Sequence, residues 1–315
     1  MKWLLTISII VIVITTTLVY CTSANSKSTD TAEVLGEKLF FDTILSGNKT
    51  ISCASCHKPE FAFADSISLS PGIHGRLGVR NTPSAMNVSD QPHFFWDGRA
   101  ATLEEQALIP IANPDEMDLP IDSAIQRLKN DAVYNQLFQN IFKEGPSAKT
   151  LAIALSKFQR SLETPNAPFD DWRINDNEKA VTASVKRGFA IFNKKAKCVQ
   201  CHFGTNFNNT EFRNIGLFDG KQFNDSGRSA ITKLPEDIGK FKIGPLRNIA
   251  LTAPYMHNGM FKTLREVIDY YDDPDKVVLH SINRDSLLAQ PLHLTEQEKV
   301  DLENFLRSLT GKRSE

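Results

Sequence analysis

The chain has 315 residues, of which 41% are hydrophobic and 23% are charged, and its net charge is −1. This length is enough for two domains of ordinary size, and the composition is typical of a globular protein. The nearly neutral charge gives no electrostatic basis for binding nucleic acid, so nucleic acid is not expected as a partner.

The first 25 residues predict export from the cytoplasm. A positively charged start precedes an apolar run from Trp3 to Tyr20, and small polar residues follow it. The run of about eighteen residues is long for a signal and nearly long enough to span a bilayer. Cys21 stands where a lipoprotein cysteine would, although the bulky Tyr20 argues against lipidation. Residues 1–25 are therefore predicted to be a signal peptide or a membrane anchor, which makes the protein periplasmic, either free or membrane-tethered.

The spacing of apolar residues, together with Gly and Pro as helix breakers, predicts the helices that follow. They cover residues 32–41, residues 121–163 as two amphipathic helices broken around Gly145-Pro146, and residues 178–193. The capping box Thr295-x-x-Glu298 begins a last helix, which could pack back across a domain boundary. Its apolar stripe comprises Val300, Phe305, Leu306 and Leu309. Two segments rich in Gly, Pro and Asn are predicted to be long loops that wall a pocket: residues 64–92 and 203–246.

The four cysteines after the leader form two pairs, and a histidine follows each pair directly. They are Cys53 and Cys56 with His57, and Cys198 and Cys201 with His202. C-x-x-C-H is the signature of c-type haem attachment, in which two thiols bind the haem vinyl groups and the imidazole binds the iron. A zinc knuckle or a redox disulfide is the alternative for a single pair. Two copies in an exported chain favour two covalently bound haem c groups.

The two halves of the chain repeat more than the haem motif. The matched elements are Arg80-Asn81, Asp97-Gly98 and Thr102-Leu103 in the first half, and Arg247-Asn248, Asn258-Gly259 and Thr263-Leu264 in the second. The repeat predicts a mainly α fold of two cytochrome c-like helical domains with long irregular loops, each binding one haem. We place the domains at residues 26–165 and 166–315, because Pro165 and Pro168 stop a helix there.

The chain resembles the bacterial di-haem cytochrome c peroxidase family, which includes MauG, over about residues 32–311. Besides both haem motifs, the motifs that carry the resemblance are Arg80-Asn81-Thr82-Pro83, Phe95-Trp96-Asp97-Gly98-Arg99-Ala100, Asn113-Pro114-x-Glu116-Met117 and Thr252-Ala253-Pro254-Tyr255-Met256-His257. The resemblance implies that the N-terminal haem reduces hydrogen peroxide. It also implies that the C-terminal haem receives electrons from a small donor protein, a cytochrome c or a cupredoxin. A homodimer is an open option.

The resemblance also implies roles for individual residues. His57 and His202 would be the proximal iron ligands of the two haems. Glu116 would be the acid/base that moves a proton between the peroxide oxygens, and Gln106 would orient the peroxide. Trp96 would conduct electrons between the haems, and its alternative role is core packing.

A calcium ion between the domains is a further implication of the resemblance. Asn81, Thr252 and Pro254 match the positions that bind it in the family. An amide oxygen and backbone carbonyls are hard ligands of a suitable kind. They are a weak signal by themselves, so one calcium ion is expected mainly on the resemblance.

The second axial ligand of the C-terminal haem departs from the peroxidase pattern, which has a methionine there. Alignment after Thr263-Leu264 puts Tyr271 at that position, as in MauG-like members, and a phenolate ligand lowers the potential of a haem. Tyr270 is one residue away, so the register stays open. Met256 and Met260 are possible substitutes.

Histidines outside the two motifs are harder to assign. His74 lies in the loop after the first haem motif, where peroxidases often have a distal iron ligand that must leave before peroxide binds. If His74 binds iron, the oxidised enzyme is closed; if it does not, the site is always open, as in MauG. The remaining histidines are expected to have hydrogen-bonded structural roles: His93, His257, His280 and His293.

Three functions are compatible with these features. The favoured one is a peroxidase that reduces hydrogen peroxide to water. A MauG-like oxidase, which uses peroxide to oxidise residues of a partner protein, is suggested by Tyr271. A plain electron-transfer cytochrome is the third, and Gln106 and Glu116 count against it because an electron carrier needs no proton shuttle.

Overall fold

The computed structural model describes residues 31–164 and 166–311, and the predicted leader with Cys21 lies outside these ranges. The fold is mainly helical. Its helices are α1 (Ala32–Phe41), α2 (Leu103–Ala112), α3 (Ile121–Asn130), α4 (Ala132–Phe142), α5 (Ala148–Ser161), α6 (Pro168–Arg173), α7 (Ala183–Asn193), α8 (Ser229–Thr232), α9 (Leu264–Asp272) and α10 (Glu296–Arg307). Two short antiparallel strands pair, β1 (Phe212–Arg213) and β2 (Phe241–Lys242). Within the described ranges, every helix is too short or too polar to cross a membrane.

The same helix crossing organises each half. In the first half α1 packs on α5, and in the second α7 packs on α10. A Cβ atom on Gly36 would lie 1.9 Å from the carbonyl oxygen of Ala154, and one on Gly188 would lie 1.9 Å from that of Asp301. Both helix pairs therefore need glycine to approach this closely. Two separate hydrophobic cores form around these crossings, one from residues 35–162 and one from residues 169–309.

Three details of the predicted helices are wrong. Residues 121–163 form three helices, because Asp131 ends α3 and its carboxylate accepts the backbone N–H of Val133 and Tyr134 at the start of α4. The helix predicted from residue 178 begins only at α7. In α10, Val300 is exposed and Leu302 is buried in its place, and the helix packs mainly on α7 in its own half.

The predicted pairing of Arg80-Asn81 with Arg247-Asn248 is also wrong. The backbone N–H of Asn87 donates to the carbonyl of Leu162, and that of Asn248 donates to the carbonyl of Leu309. Both asparagines have left-handed backbone angles, with φ of 56° and 60°. Asn87 is thus the counterpart of Asn248, and each precedes its turn glycine, Gly98 or Gly259, by the same number of residues.

Thr164 joins the two halves through these asparagines. Its Oγ1 accepts a hydrogen bond from Asn87 Nδ2 at 2.8 Å and another from Asn248 Nδ2 at 2.9 Å. Its backbone N–H donates to Asn87 Oδ1 at 2.9 Å. Both asparagines are only 2% exposed. The connection between the halves is therefore a buried polar joint, in which each amide is held by hydrogen bonds.

Candidate haem sites

Each cysteine pair begins a short 3₁₀ turn on the C-terminal side of the glycine-bearing helix of its half, at Cys53–Ser55 after α1 and at Cys198–Gln200 after α7. All four cysteines are free thiols. Burial raises the pKa of Cys53 and of Cys198 to about 12.

The two motif histidines are oriented identically. Nδ1 of His57 lies 2.9 Å from the carbonyl oxygen of Phe63, and Nδ1 of His202 lies 2.9 Å from that of Phe207. A carbonyl can only accept, so Nδ1 carries the proton and Nε2 is the atom left to bind a metal. Burial lowers the pKa of both histidines, which favours the neutral imidazole that a metal requires. The sequence did not reveal the two carbonyl partners.

A cavity opens beside the first motif, and both halves of the chain wall it. Its lining brings together most of the residues expected at the peroxidatic site. They are Cys53, Cys56, His57, Trp96, Gln106 and Glu116. The lining also includes Asn81 and Thr252, which were expected to bind calcium, Met256, which was considered for the second haem, and the basic residues Arg80, Arg99, Lys242 and Arg247. The residue types present therefore fit a covalently bound haem c, which Cys53, Cys56 and His57 would hold in the same cavity as Gln106 and Glu116.

Glu116 is half-buried and held by its neighbours. Asn113 Nδ2 donates to its Oε1 at 2.8 Å. Burial raises the pKa of Glu116, and the bond from Asn113 and the charge of Arg99 partly offset that rise. The Glu116 carbonyl accepts a hydrogen bond from the backbone N–H of Ile73 at 2.7 Å, which holds the backbone of Glu116 in place. A carboxyl with a raised pKa is suited to taking and returning a proton.

Gln106 lies on α2 in the same cavity. Its Oε1 is buried, and no donor in the described part of the chain reaches it. Buried polar atoms are almost always hydrogen-bonded, so an unpartnered acceptor inside a cavity marks a place where a ligand can donate. A peroxide or a water molecule has the O–H group that this position lacks.

Trp96 is fixed between the two halves. Its Nε1 donates to the carbonyl of Asn81 at 2.8 Å, and its own carbonyl accepts the backbone N–H of Lys242 at 2.8 Å. Its ring lies 6.5 Å from the rings of Phe241 and His257, which stack on each other at 3.8 Å. Burial lowers the pKa of His257 to about 4. The indole therefore has a single orientation, set by residues from both halves.

The second site has a different set of neighbours. Tyr271, on α9, packs partly buried against the second core near Cys198 and Cys201, and burial raises its pKa. The hydroxyl of Tyr270 instead donates to the carbonyl of Ile215 at 2.6 Å. Of the two adjacent tyrosines, Tyr271 is thus the one beside the second haem motif.

The two methionines considered as substitutes for the tyrosine have other surroundings. Met256 lines the cavity beside the first motif. Met260 is partly buried in the second core, where its sulfur lies 3.7 Å from Asn258 Nδ2.

The residues expected to bind calcium form a weak donor set. Asn81 Nδ2 donates to the carbonyls of Ile67 and Ser68 at 3.3 and 3.2 Å, and its backbone N–H donates to the carbonyl of His257 at 2.7 Å. Asn81 is therefore close to the segment that contains Thr252 and Pro254. No cluster of three or more His, Cys, Asp or Glu residues suited to a metal occurs in residues 31–164 and 166–311. Any calcium ion here would rely on neutral oxygens.

The other histidines are dispersed. His74 is exposed on the turn Ile73–Gly75 and does not line the cavity. His280 and His293 are also exposed. His93 packs against Phe212 at 5.5 Å, and its buried Nδ1 has no hydrogen-bond partner among the described residues.

Comparison with known proteins identifies the family. The pattern of di-haem cytochrome c peroxidase matches residues 30–179. Methylamine utilization protein MauG of Methylorubrum extorquens is 38% identical over 286 residues, which cover 88% of this chain and 78% of that protein. The chain belongs to the di-haem cytochrome c peroxidase family.

Other members of the di-haem peroxidase family cover most of the chain as well. Cytochrome c551 peroxidase of Nitrosomonas europaea is 35% identical over 246 residues, which cover 77% of this chain and 73% of that protein. A crystal structure of a MauG-like protein associated with microbial copper homeostasis is 34% identical, with a TM-score of 0.81 and 90% of each chain covered. Membership implies haem c as the cofactor and peroxidase chemistry as the class of activity.

Proposed function

We propose that this chain is a cytochrome c peroxidase that reduces hydrogen peroxide to water with electrons from a small donor protein. One haem c would be attached to Cys53 and Cys56 with His57 as ligand, and one to Cys198 and Cys201 with His202. The observation that carries the proposal is the buried, unpartnered Oε1 of Gln106 in the same cavity as Glu116. When bound there, haem c supplies the iron at which peroxide is reduced.

Gln106 and Glu116 have separate roles in the proposed reaction. Gln106 Oε1 accepts a hydrogen bond from peroxide and so orients it in the cavity. Glu116 takes a proton from one peroxide oxygen and returns it to the other, which leaves as water; two electrons and two protons in total give two waters per peroxide. Burial keeps the pKa of Glu116 raised, so its carboxyl can hold that proton.

Electron supply and the surroundings of the cavity complete the proposal. Trp96, bonded to Asn81 and to Lys242, lies on the route between the two halves. The donor is a cytochrome c or a cupredoxin. We also propose a calcium ion at Asn81, Thr252 and Pro254, and a periplasmic location with or without a membrane tether. The exposed position of His74 supports an iron face that is open without prior reduction.

A MauG-like oxidation of a partner protein is the second candidate, and Tyr271 favours it. A tyrosine on the second iron lowers its potential, which makes that haem a poor acceptor from a high-potential donor. In that case peroxide would be consumed slowly with a small cytochrome and faster with a protein substrate. A plain electron carrier would not respond to peroxide in either redox state.

The decisive experiment mixes the di-ferric protein with peroxide and a reduced small cytochrome c, and follows donor oxidation. Glu116→Gln should lower turnover by roughly 10²–10⁴-fold, because the proton transfer is lost, while both haem spectra persist. The control Glu144→Gln changes an exposed carboxyl and should have no effect. Full activity in Glu116→Gln would rule out this mechanism. A wild-type protein that reacts with peroxide but barely oxidises the donor would support the MauG-like candidate.

A further inference from the structure

One basic side chain in the cavity at the first haem motif has no carboxylate partner among the described residues. Four basic side chains line the cavity, and three of them have aspartate partners. These pairs are Arg80 with Asp97 and Asp225, Arg99 with Asp97, and Arg247 with Asp170, at distances of 2.6 to 3.0 Å. Lys242 is the fourth, and its surroundings differ.

The ammonium group of Lys242 has only a neutral partner. Its Nζ donates to Oε1 of Gln91, and within residues 31–164 and 166–311 no carboxylate lies within 4.0 Å of it. Burial lowers the pKa of Lys242 to about 8. A buried ammonium without a counter-charge is costly, so an anion bound beside Lys242 would stabilise its charged form.

The group expected in this cavity carries such an anion. A haem has two propionate carboxylates, and attachment through Cys53 and Cys56 would place the haem in the cavity that Lys242 also lines. The acidic residue of the cavity lining, Glu116, accepts a hydrogen bond from Asn113 and does not come within 4.0 Å of Lys242 Nζ. We propose that Lys242 Nζ forms a salt bridge with a propionate of the N-terminal haem, with the amide of Gln91 holding the ammonium in position. The proposal depends on haem attachment at this motif, not on peroxide turnover.

The salt bridge would connect the haem edge to the electron route. Lys242 donates its backbone N–H to the carbonyl of Trp96 at 2.8 Å, while its side chain reaches into the cavity. One residue of β2 thus fixes the indole and the propionate together. Its positive charge near the haem also disfavours the ferric form, so it raises the reduction potential of that haem.

The experiment measures the two haem potentials by spectroelectrochemistry without peroxide. Lys242→Gln should make reduction of the N-terminal haem roughly tenfold less favourable, which is about 59 mV for one electron, and leave the C-terminal haem unchanged. The propionate bending band in the resonance Raman spectrum should shift in the same variant. Lys242→Arg should retain the wild-type potential. The control Lys240→Gln removes a charge two residues away that is already paired with Asp237, and should change neither readout.

Unchanged potential and Raman bands in Lys242→Gln would overturn the proposal. If that variant fails to bind haem, a crystal structure of the haem-loaded wild type decides: Nζ within 4 Å of a propionate oxygen supports the salt bridge, and a greater distance from both propionates refutes it. If Lys242→Gln shows the potential shift but the haem-loaded wild type does not turn over peroxide, the salt bridge is supported and the proposed peroxidase activity is refuted.

Discussion

The two halves of this chain share one scaffold and differ where a helix faces each haem site. α2 and α9 begin after equivalent caps, Thr102 and Thr263, whose side chains accept the same backbone bond. Eight residues after its cap, α2 has Pro110, which lines the first cavity, and α9 has Tyr271, which lies beside the second cysteine pair. Proline offers no side-chain ligand, whereas a phenol oxygen can bind iron. The comparison predicts an open iron face in the first half and a tyrosine-ligated one in the second.

A second difference between α2 and α9 supports the same conclusion. Four residues after the caps, Gln106 stands in the first half and Val267 in the second. The first half thus has a buried acceptor for a small polar ligand, and the second has an apolar side chain. A repeated scaffold can therefore acquire two chemistries through changes on a single helix face, because the remaining structure is held by the same crossing and the same histidine bond.

Exchanging the tyrosine for the ligand of the ordinary peroxidases gives the largest expected effect. Tyr271→Met should raise the potential of the C-terminal haem by roughly 0.2 V or more, because a thioether favours ferrous iron and a phenolate favours ferric iron. Spectroelectrochemistry of the purified protein measures it. Tyr270→Phe is the matched control, since it removes only the bond to Ile215 and should leave the potential unchanged. An unchanged potential in Tyr271→Met would exclude Tyr271 as the ligand.

The helix crossings of the two halves should be equally sensitive to substitution of their glycines. Gly36→Ala and Gly188→Ala each force a methyl group against a backbone carbonyl, so each should lower the free energy of unfolding by about 3 kcal/mol, or prevent folding. Gly145→Ala has space for the added methyl group and should be tolerated. Chemical denaturation followed by circular dichroism tests this. A large loss in only one half would show that the two crossings are not equivalent.

The sequence predicted the parts of this fold that depend on local signals. The haem motifs, the cap at Thr295 and the helix before each motif follow from short patterns. The break at Asp131 did not, because an aspartate in a helical pattern marks a cap only when the chain turns there. The match of Asn87 to Asn248 was missed because Asn81 also follows an arginine, although the constant spacing to the turn glycine was available.

The parts of the site that were missed depend on tertiary contacts. Nothing near Lys242 in the sequence indicates that it lines the cavity from the other half, or that its neighbours leave it without a carboxylate. The carbonyl partners of His57 and His202 lie five or six residues away in loops without a recognisable pattern. The choice between Tyr270 and Tyr271 required knowing that Ile215 passes behind the helix.

The polar joint tests whether the halves depend on each other. Thr164→Val removes the acceptor shared by Asn87 and Asn248, so each buried amide loses one N–H acceptor, and Asn248 keeps only its bond to the Met86 sulfur. We expect a loss of about 1–3 kcal/mol in the free energy of unfolding. Thr50→Val, at an exposed position, should cost much less. No loss of stability in Thr164→Val would mean that the joint does not hold the halves together.

The smallest expected effect concerns the pH dependence of turnover, which should follow the protonation of Glu116 in the first haem site. Glu116 must be a carboxylate to accept a proton, and burial raises its pKa, so activity should fall as the pH drops through a range above that of an ordinary glutamate. Arg99 counteracts that rise, and removing it should move the acid limb to higher pH.

Arg99→Gln should therefore lose roughly twofold to fivefold of its turnover near pH 5, and keep parental turnover near pH 8, because Arg99 is exposed and its solvent-screened attraction for Glu116 is worth about 0.2–1 kcal/mol. Steady-state donor oxidation from pH 4 to pH 9 measures the pH at which turnover falls on the acid side of the profile. Arg187→Gln, whose charge is paired with Asp301 in the second half, is the control and should leave the limb where it was. If Arg99→Gln and the parent have the same profile, the acid limb belongs to a group other than Glu116, and the distinction between the two haem faces must rest on Gln106 and Tyr271 alone.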